Sequence, residues 1–117
     1  ARLLDIDVIV LKKSRHRVTG EVSVDEKLEL DISKRDALVI DDIISSGGSI
    51  IKAAEVLHKK GVGKIFAMCT HALLIRDAAQ KIKSAGVQDI ISTNSVPGEY
   101  SKVELSPEIV SALKSRY

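Results

Sequence analysis

The sequence predicts a single α/β domain, a parallel sheet with flanking helices. Short continuous aliphatic runs alternate with segments whose apolar residues recur at helical spacing, and this alternation is typical of β-α-β units with right-handed crossovers. Three runs, at 37–42, 64–70 and 88–93, are predicted to be neighbouring strands. Because such aliphatic strands are usually buried on both sides, we expect helices on both faces of the sheet. The length of 117 residues fits one domain, spanning residues 1–117.

The residues before the first of these strands predict a strand and a basic hairpin. Leu3–Leu11 is mostly aliphatic and β-branched, as a strand is. The cluster KKSRHR at Lys12–Arg17 follows it, and the segments 20–24 and 27–32 alternate in polarity, so they could pair as a hairpin or as edge strands. A hairpin-like basic loop near the N-terminus is therefore expected.

Two helices are predicted between the three central strands. The first covers 50–60 and ends at Gly61, and the second covers 73–84 and ends at Gly86. A fourth strand is expected at Val103–Leu105.

A last helix is predicted near the end of the chain. Ser106 is its expected N-cap, Pro107 its first helical residue, and Glu108 suits the positive end of the helix dipole.

The composition excludes several classes of protein. A formal net charge of +2 is too small to predict nucleic-acid binding, and no apolar run is long enough for a membrane span. Cys69 is the single cysteine, so an internal disulfide is impossible and a cytoplasmic location is expected.

The chain begins at Ala1 without Met, which suggests a fragment, although removal of Met before Ala is also common.

A Ser/Gly loop at Ser45–Ser49 lies between a predicted strand and the helix that follows it. Ligands of parallel α/β sheets bind beyond the carboxyl ends of the strands, and unpaired N–H groups at a helix start bind phosphate. Gly47 and Gly48 permit positive φ and close approach of the backbone. The available hydroxyl donors are those of Ser45, Ser46 and Ser49. The loop therefore reads as a phosphate-binding loop, although it lacks the Gly-Lys-Ser/Thr of a Walker A loop.

Two carboxylates precede this loop. Asp41 and Asp42 could accept hydrogen bonds from vicinal sugar hydroxyls or hold Mg²⁺, which would suit ribose 5-phosphate. The alternative is that they only end a strand and that the loop is an ordinary turn. From these residues alone both interpretations stay open.

The histidines and the cysteine are weaker candidates. His16 could join the basic loop, whereas His58 lies in a last helical turn and is expected to be structural or solvated. His71 follows a strand end on the ligand side, where it could contact a nucleotide or serve as a satisfied polar cap. Cys69 is expected to be buried and inert.

The stretch VIDDIISSGGS resembles the phosphoribosyl-pyrophosphate motif of type I phosphoribosyltransferases. Together with KKSRHR, CTHALL at Cys69–Leu74 and STNSV at Ser92–Val96, the whole chain resembles the C-terminal half of ribose-phosphate pyrophosphokinases. Those two-domain enzymes transfer the diphosphoryl group of ATP to the 1-hydroxyl of ribose 5-phosphate. Phosphoribosyltransferases that act on a base share only the first motif.

The resemblance implies roles for particular residues. Lys13 and Arg15 would be catalytic, with Arg15 also reaching the sugar phosphate. The ribose 5-phosphate site would consist of Asp41, Asp42, Ser45, Ser46, Gly47, Gly48 and Ser49. The sequence departs from the family in having Ser45-Ser46 where Asp-Thr is more common and Ser14 between Lys13 and Arg15. Lys12 is the alternative catalytic residue if the register shifts by one.

The resemblance also implies partners. These are ATP, ribose 5-phosphate, Mg²⁺ as cofactor, a missing N-terminal domain and further copies of the chain in a homo-oligomer, without nucleic acid or membrane. Because the N-terminal domain supplies a catalytic His, a Mg²⁺-binding Asp and much of the ATP pocket, this chain is expected to be inactive alone. A base-specific phosphoribosyltransferase and a regulatory phosphoribosyl-pyrophosphate-binding homologue are the alternatives.

Overall fold

The computed structural model describes residues 2–15, 17–19, 22–24 and 30–117, with the backbone alone at 13, 15 and 22–24. The strands are β1 Lys13–Arg15, β2 Val22–Val24, β3 Ala37–Ile44, β4 Ile65–Ala72, β5 Val87–Thr93 and β6 Ser101–Val103. The helices are α1 Gly48–Lys59, α2 Ala78–Ser84 and α3 Ser106–Arg116. Strands β3 to β6 form a parallel sheet in that order, and β1 pairs antiparallel with β2. The predicted parallel α/β architecture is confirmed.

The two crossover helices lie on one face of the sheet. The strand order follows the chain order, and successive right-handed crossovers in one direction place their helices on the same side. α1 and α2 accordingly contact each other. On the opposite face Leu38 is 41% and Ile40 67% exposed. The expectation of helices on both faces is therefore wrong for β3, because its sequential neighbours leave the second face without a crossover helix.

The hydrophobic core is aliphatic and lies between the sheet and these two helices. Ile65 of β4, Ile82 of α2 and Ile90 of β5 are each 0% exposed. Ile50 and Ala54 of α1 belong to the same cluster. With each branched side chain contributing roughly 1.5–3 kcal/mol on burial, this layer fixes the position of both helices relative to the strand ends.

The N-terminal segment differs from its prediction. The structure assigns no strand to Leu3–Leu11, because an extended segment becomes a strand only when it pairs with a neighbour. Ile9 packs against the core, and an ion pair of 2.8 Å joins Asp7 to Arg35. Ile9 and this ion pair therefore anchor the segment, which stays outside the sheet, whereas Leu3, Val8 and Val10 are at least 62% exposed.

The hairpin-like basic loop is confirmed, with a different pairing. Lys13 pairs with Val24 and Arg15 with Val22, so the basic cluster itself supplies one strand. Residues 20, 21 and 25–29 lie outside the described residues. Most of the predicted pairing of 20–24 with 27–32 therefore lies outside them as well. His16 also lies outside them.

The second helix begins later than predicted. α2 starts at Ala78, whereas helical spacing predicted a start at Leu73. Leu74 and Arg76 have φ values of 43° and 55°, which no right-handed helix accommodates. Residues 73–77 instead form a loop whose hydrogen bonds go to β3, as described below.

The remaining boundaries agree closely with expectation. Gly61 and Gly86 follow α1 and α2 with φ values of 74° and 93°, as expected of helix stops. α3 has its proline in the first turn, but its N-cap is Leu105, one residue before the predicted Ser106. β6 lies two residues before the predicted fourth strand, because its pairing with β5 reaches only Val103. In the described part of the chain no helix has the length and apolarity to cross a membrane.

Gly86 provides a test of this packing. A Cβ at Gly86 would overlap the ring of His58, and its φ is unfavourable for any residue with a side chain. We expect Gly86→Ala to lower the free energy of unfolding by roughly 1–3 kcal/mol, the usual cost of a strained backbone residue. Urea denaturation measures the change.

The matched control is Gly98→Ala. No atom lies within 4 Å of the Cβ that this change would add, so stability should stay within about 0.5 kcal/mol of the wild type. Equal effects of the two substitutions would contradict the packing of α1 against the start of β5.

Candidate functional site

The two adjacent carboxylates lie at the carboxyl end of β3. The N–H of Asp42 donates to Oδ1 of Asp41 at 3.0 Å, and the N–H of Ile43 donates to Oδ1 of Asp42 at 2.8 Å. Asp41 is half-buried, whereas Asp42 is exposed. These bonds orient both carboxylates at the edge of the sheet where parallel α/β proteins bind ligands.

The N-terminus of α1 follows directly. Its N-cap residue is Gly47, and no side chain makes a capping hydrogen bond. The N–H of Ile51 donates to the carbonyl of Gly47 at 2.9 Å and closes the first helical turn. The N–H groups earlier in this turn are the ones that would donate hydrogen bonds to an anion bound at the helix start. Ser45, Ser46 and Ser49 stand around them, partly or fully exposed.

The two loop glycines have different roles. Gly47 has a φ of 83°, and an added Cβ would lie 2.8 Å from Cγ1 of Ile82. Gly48 begins the helix, has no positive φ, and would place a Cβ no closer than 3.8 Å to the Ser46 hydroxyl oxygen. The expectation that both glycines use positive φ is confirmed for Gly47 and wrong for Gly48, because Gly48 already has helical geometry. Gly47 is needed by the fold, whereas a Cβ at Gly48 would meet only an ordinary contact.

The loop after β4 is hydrogen-bonded onto the end of β3. The N–H groups of Leu73 and Leu74 both donate to the carbonyl of Ile44 at 3.0 Å, and that of Ile75 donates to the carbonyl of Ser45 at 3.1 Å. These bonds explain why residues 73–77 do not continue α2 toward the N-terminus. They also fix the start of the Ser45–Ser49 loop against the neighbouring strand.

A group of hydroxyls and a histidine extends the site to β5. Nδ1 of His71 lies 2.7 Å from the Ser95 hydroxyl. The hydroxyls of Ser95 and Thr93 donate to the carbonyl of Thr70 at 2.9 Å and 2.6 Å. The sequence places His71 at a strand end, as a nucleotide contact or a polar cap, and does not connect it with Ser95, because the contact joins residues 24 positions apart.

Cys69 lies beneath the acids. It pairs with Asp41 in the β3–β4 ladder and is 2% exposed. Burial raises the pKa of its thiol, the backbone of Ile44 lowers it, and the charge of Asp41 raises it. The thiolate is thus disfavoured, and the predicted burial of Cys69 is confirmed.

The basic residues are less closely placed. Lys13 and Arg15 lie on β1, and the paired strand β2 packs against α1. The side chains of Lys13 and Arg15 are outside the described part, so their catalytic roles stay predictions. The structure does bring Asp41, Asp42 and Ser45–Ser49 together at one edge.

The donor set for a metal ion is limited. Among the described residues no group of three or more His, Cys, Asp or Glu side chains could hold a metal ion. Asp41 and Asp42 remain a pair of hard oxygen donors, and Mg²⁺ is often held by one or two carboxylates together with substrate phosphates. By themselves the two carboxylates do not form a metal site, so a Mg²⁺ ion here would need substrate oxygens to complete its coordination.

Comparisons with known proteins agree with this architecture. The ribose-phosphate pyrophosphokinase of Methanopyrus kandleri is 39% identical over 102 residues, which cover 86% of this chain and 35% of that protein. That of Methanothermobacter thermautotrophicus is 40% identical over 98 residues, which cover 84% of this chain and 34% of that protein. The chain therefore spans about a third of the length of these curated relatives.

A solved structure and a family model complete the comparison. The crystal structure of phosphoribosylpyrophosphate synthetase from Mycobacterium smegmatis has a TM-score of 0.63 at 20% identity, covering 90% of this chain and 35% of that one. At this identity the likeness concerns the fold alone. Residues 16–111 match the phosphoribosyl synthetase-associated domain. Because this match extends over most of the sequence, the chain belongs to the phosphoribosyl synthetase-associated domain family.

Proposed function

We propose that this chain is the ribose 5-phosphate-binding part of a ribose-phosphate diphosphokinase. The enzyme would transfer the diphosphoryl group of ATP to the 1-hydroxyl of ribose 5-phosphate and release phosphoribosyl pyrophosphate and AMP. The observation that carries the proposal is the position of an acid pair beside a helix N-terminus without a side-chain cap. The names of the relatives, ribose-phosphate pyrophosphokinases, support the same activity.

The substrate would occupy the carboxyl edge of β3. The N–H groups of the first turn of α1 and the hydroxyls of Ser45, Ser46 and Ser49 would bind the 5-phosphate, because each can donate to phosphate oxygens. Gly47 and Gly48 would let the phosphate approach the backbone. Asp41 and Asp42 would accept hydrogen bonds from the ribose hydroxyls. The whole sugar phosphate is thereby oriented with its 1-hydroxyl away from the loop.

The basic hairpin would act on the other substrate. Diphosphoryl transfer develops charge on phosphate oxygens, so its catalysis consists mainly of positioning and charge stabilisation. Lys13 and Arg15 would contact the phosphates of ATP, and Arg15 could also reach the sugar phosphate. In such a site water is excluded when a charged segment closes over the triphosphate.

Mg²⁺ would be held by Asp41, Asp42 and substrate oxygens, and it would neutralise part of the phosphate charge. The remaining two thirds of a protein as long as the relatives would complete the ATP pocket, so we expect no turnover by this chain alone. We further propose a homo-oligomeric, cytoplasmic enzyme.

The first prediction concerns Gly48. A Cβ at Gly48 would make only an ordinary contact of 3.8 Å, with the Ser46 hydroxyl oxygen, whereas a Gly48→Val side chain would stand where the phosphate approaches. We expect the Kd for ribose 5-phosphate to rise more than about tenfold, since charged hydrogen bonds of roughly 1.5–3 kcal/mol would be lost. Isothermal titration calorimetry measures the affinity.

A thermal melt accompanies this measurement. The variant should keep the wild-type melting temperature, and Gly98→Val, far from the loop in sequence and with open space around it, should keep both affinity and stability. Unchanged ribose 5-phosphate affinity in folded Gly48→Val would contradict the assignment of this loop to phosphate binding.

The second prediction concerns Lys13, tested in a complete two-domain enzyme. If Lys13 stabilises charge in the transition state, Lys13→Ala should lower kcat by about a hundredfold or more with a much smaller change in KM for ribose 5-phosphate. Steady-state kinetics with varied ribose 5-phosphate separates the two effects. Arg15→Ala should lower kcat and also raise that KM if its guanidinium reaches the sugar phosphate.

Lys12→Ala is the matched control, because it removes the same charge one position earlier. Near-normal turnover in Lys13→Ala with loss of activity in Lys12→Ala would move the catalytic residue by one position. If both variants are fully active, the hairpin has no catalytic role.

A further inference from the structure

The hydrogen bonds around His71 favour one position for the proton on its ring. The Ser95 hydroxyl has a single hydrogen, and the carbonyl of Thr70, 2.9 Å away, can only accept it. With that hydrogen directed to Thr70, the same hydroxyl oxygen accepts from Nδ1 of His71, which lies 2.7 Å away. Neutral His71 then has its proton on Nδ1 and a lone pair on Nε2.

The partners of His71 hold its ring firmly. Thr93 donates to the same Thr70 carbonyl at 2.6 Å, and its hydroxyl oxygen accepts from the N–H of Ser95 at 3.2 Å. The hydroxyls of Thr93 and Ser95 and the carbonyl of Thr70 thus all have hydrogen-bond partners within this group. Among the described residues, none is hydrogen-bonded to Nε2. An imidazole fixed through one nitrogen and only partly buried presents the other nitrogen to whatever binds beside it.

The position of His71 relates it to the proposed sugar site. Its backbone pairs with Ile43, which follows Asp42 and precedes the loop by two residues. The chain immediately after His71 crosses the start of that loop, because Leu73 and Leu74 bond to the carbonyl of Ile44. His71 therefore lies one strand away from the acid pair, at the same level of the sheet.

Phosphate and sugar differ in what they offer to such a nitrogen. Phosphate oxygens are acceptors and find donors at the start of α1, whereas sugar hydroxyls can donate to a lone pair. We infer that His71 is a substrate-contacting residue whose Nε2 accepts a hydrogen bond from a hydroxyl of the bound sugar phosphate, with Ser95 as its positioning residue. This inference rests on the proposed function.

Two substitutions separate the two nitrogens. His71→Asn keeps an amide nitrogen near the position of Nδ1, where it can donate to Ser95, and removes the group at Nε2. His71→Gln places its terminal amide near Nε2 and loses the donor to Ser95. The 117-residue chain is titrated with ribose 5-phosphate and with inorganic phosphate by calorimetry, and a thermal melt checks the fold.

We expect His71→Asn to keep the melting temperature and the affinity for inorganic phosphate, while its affinity for ribose 5-phosphate falls roughly three- to tenfold, as the loss of one hydrogen bond predicts. His71→Gln should retain more affinity for ribose 5-phosphate than His71→Asn, even if it is less stable. Ser95→Ala should fall between the wild type and His71→Asn in ribose 5-phosphate affinity.

Each contrary result has a distinct meaning. Wild-type ribose 5-phosphate affinity in folded His71→Asn would overturn the inference while Gly48→Val still abolished binding, so the proposed function would survive. Equal losses for inorganic phosphate and ribose 5-phosphate would overturn the sugar contact in favour of a role in the phosphate loop. A wild-type chain that bound neither ligand would overturn the proposed function, and the inference with it.

Discussion

Three backbone hydrogen bonds join the loop after β4 to the end of β3, and the site depends on them. They run from the N–H groups of Leu73, Leu74 and Ile75 to the carbonyls of Ile44 and Ser45. The bonds accompany a departure from helical geometry at residues 73–77, where Leu74 and Arg76 have positive φ, each at a cost of about 1–3 kcal/mol. Such strain persists only where the surrounding structure imposes it, and here it holds two strand ends in one arrangement.

The packing beneath this junction acts in the same direction. Ile82 of α2 lies against Gly47 at the start of α1, so the core and the Ser45–Ser49 loop meet at one contact. The acid pair is oriented by its own backbone, and the histidine group is tied to β5. The acids, the loop and the histidine group are therefore held in place by the protein itself, and such pre-organisation would reduce the entropy that binding of a ligand must overcome.

How much the sequence predicted depended on the range of the interactions. The strands at 37–42 and 64–70 and the Asp41–Ser49 pattern were predictable because hydrophobic runs and a helix start are local signals. The start of α2 was not, since Leu74, Ala78 and Ile82 keep helical spacing while the bonds that break the helix come from residues about 30 positions earlier. Gly47 and Gly48 look alike in sequence and differ only in φ. Whether Lys13 and Arg15 reach the loop depends on side chains outside the described part.

The single thiol of Cys69 has a consequence for measurement. It is the chain's one cysteine, it is 2% exposed, and it stands beside Asp41 on the central strand next to β3. A thiol reagent can reach it only when the sheet opens at the level of the acids, so the rate of covalent labelling reports the free energy of that opening. A ligand that binds at the strand ends only when the sheet is closed stabilises the closed state. Labelling therefore slows as the ligand-bound fraction rises. The labelling rate of the buried thiol thus measures ligand occupancy at the edge of the sheet.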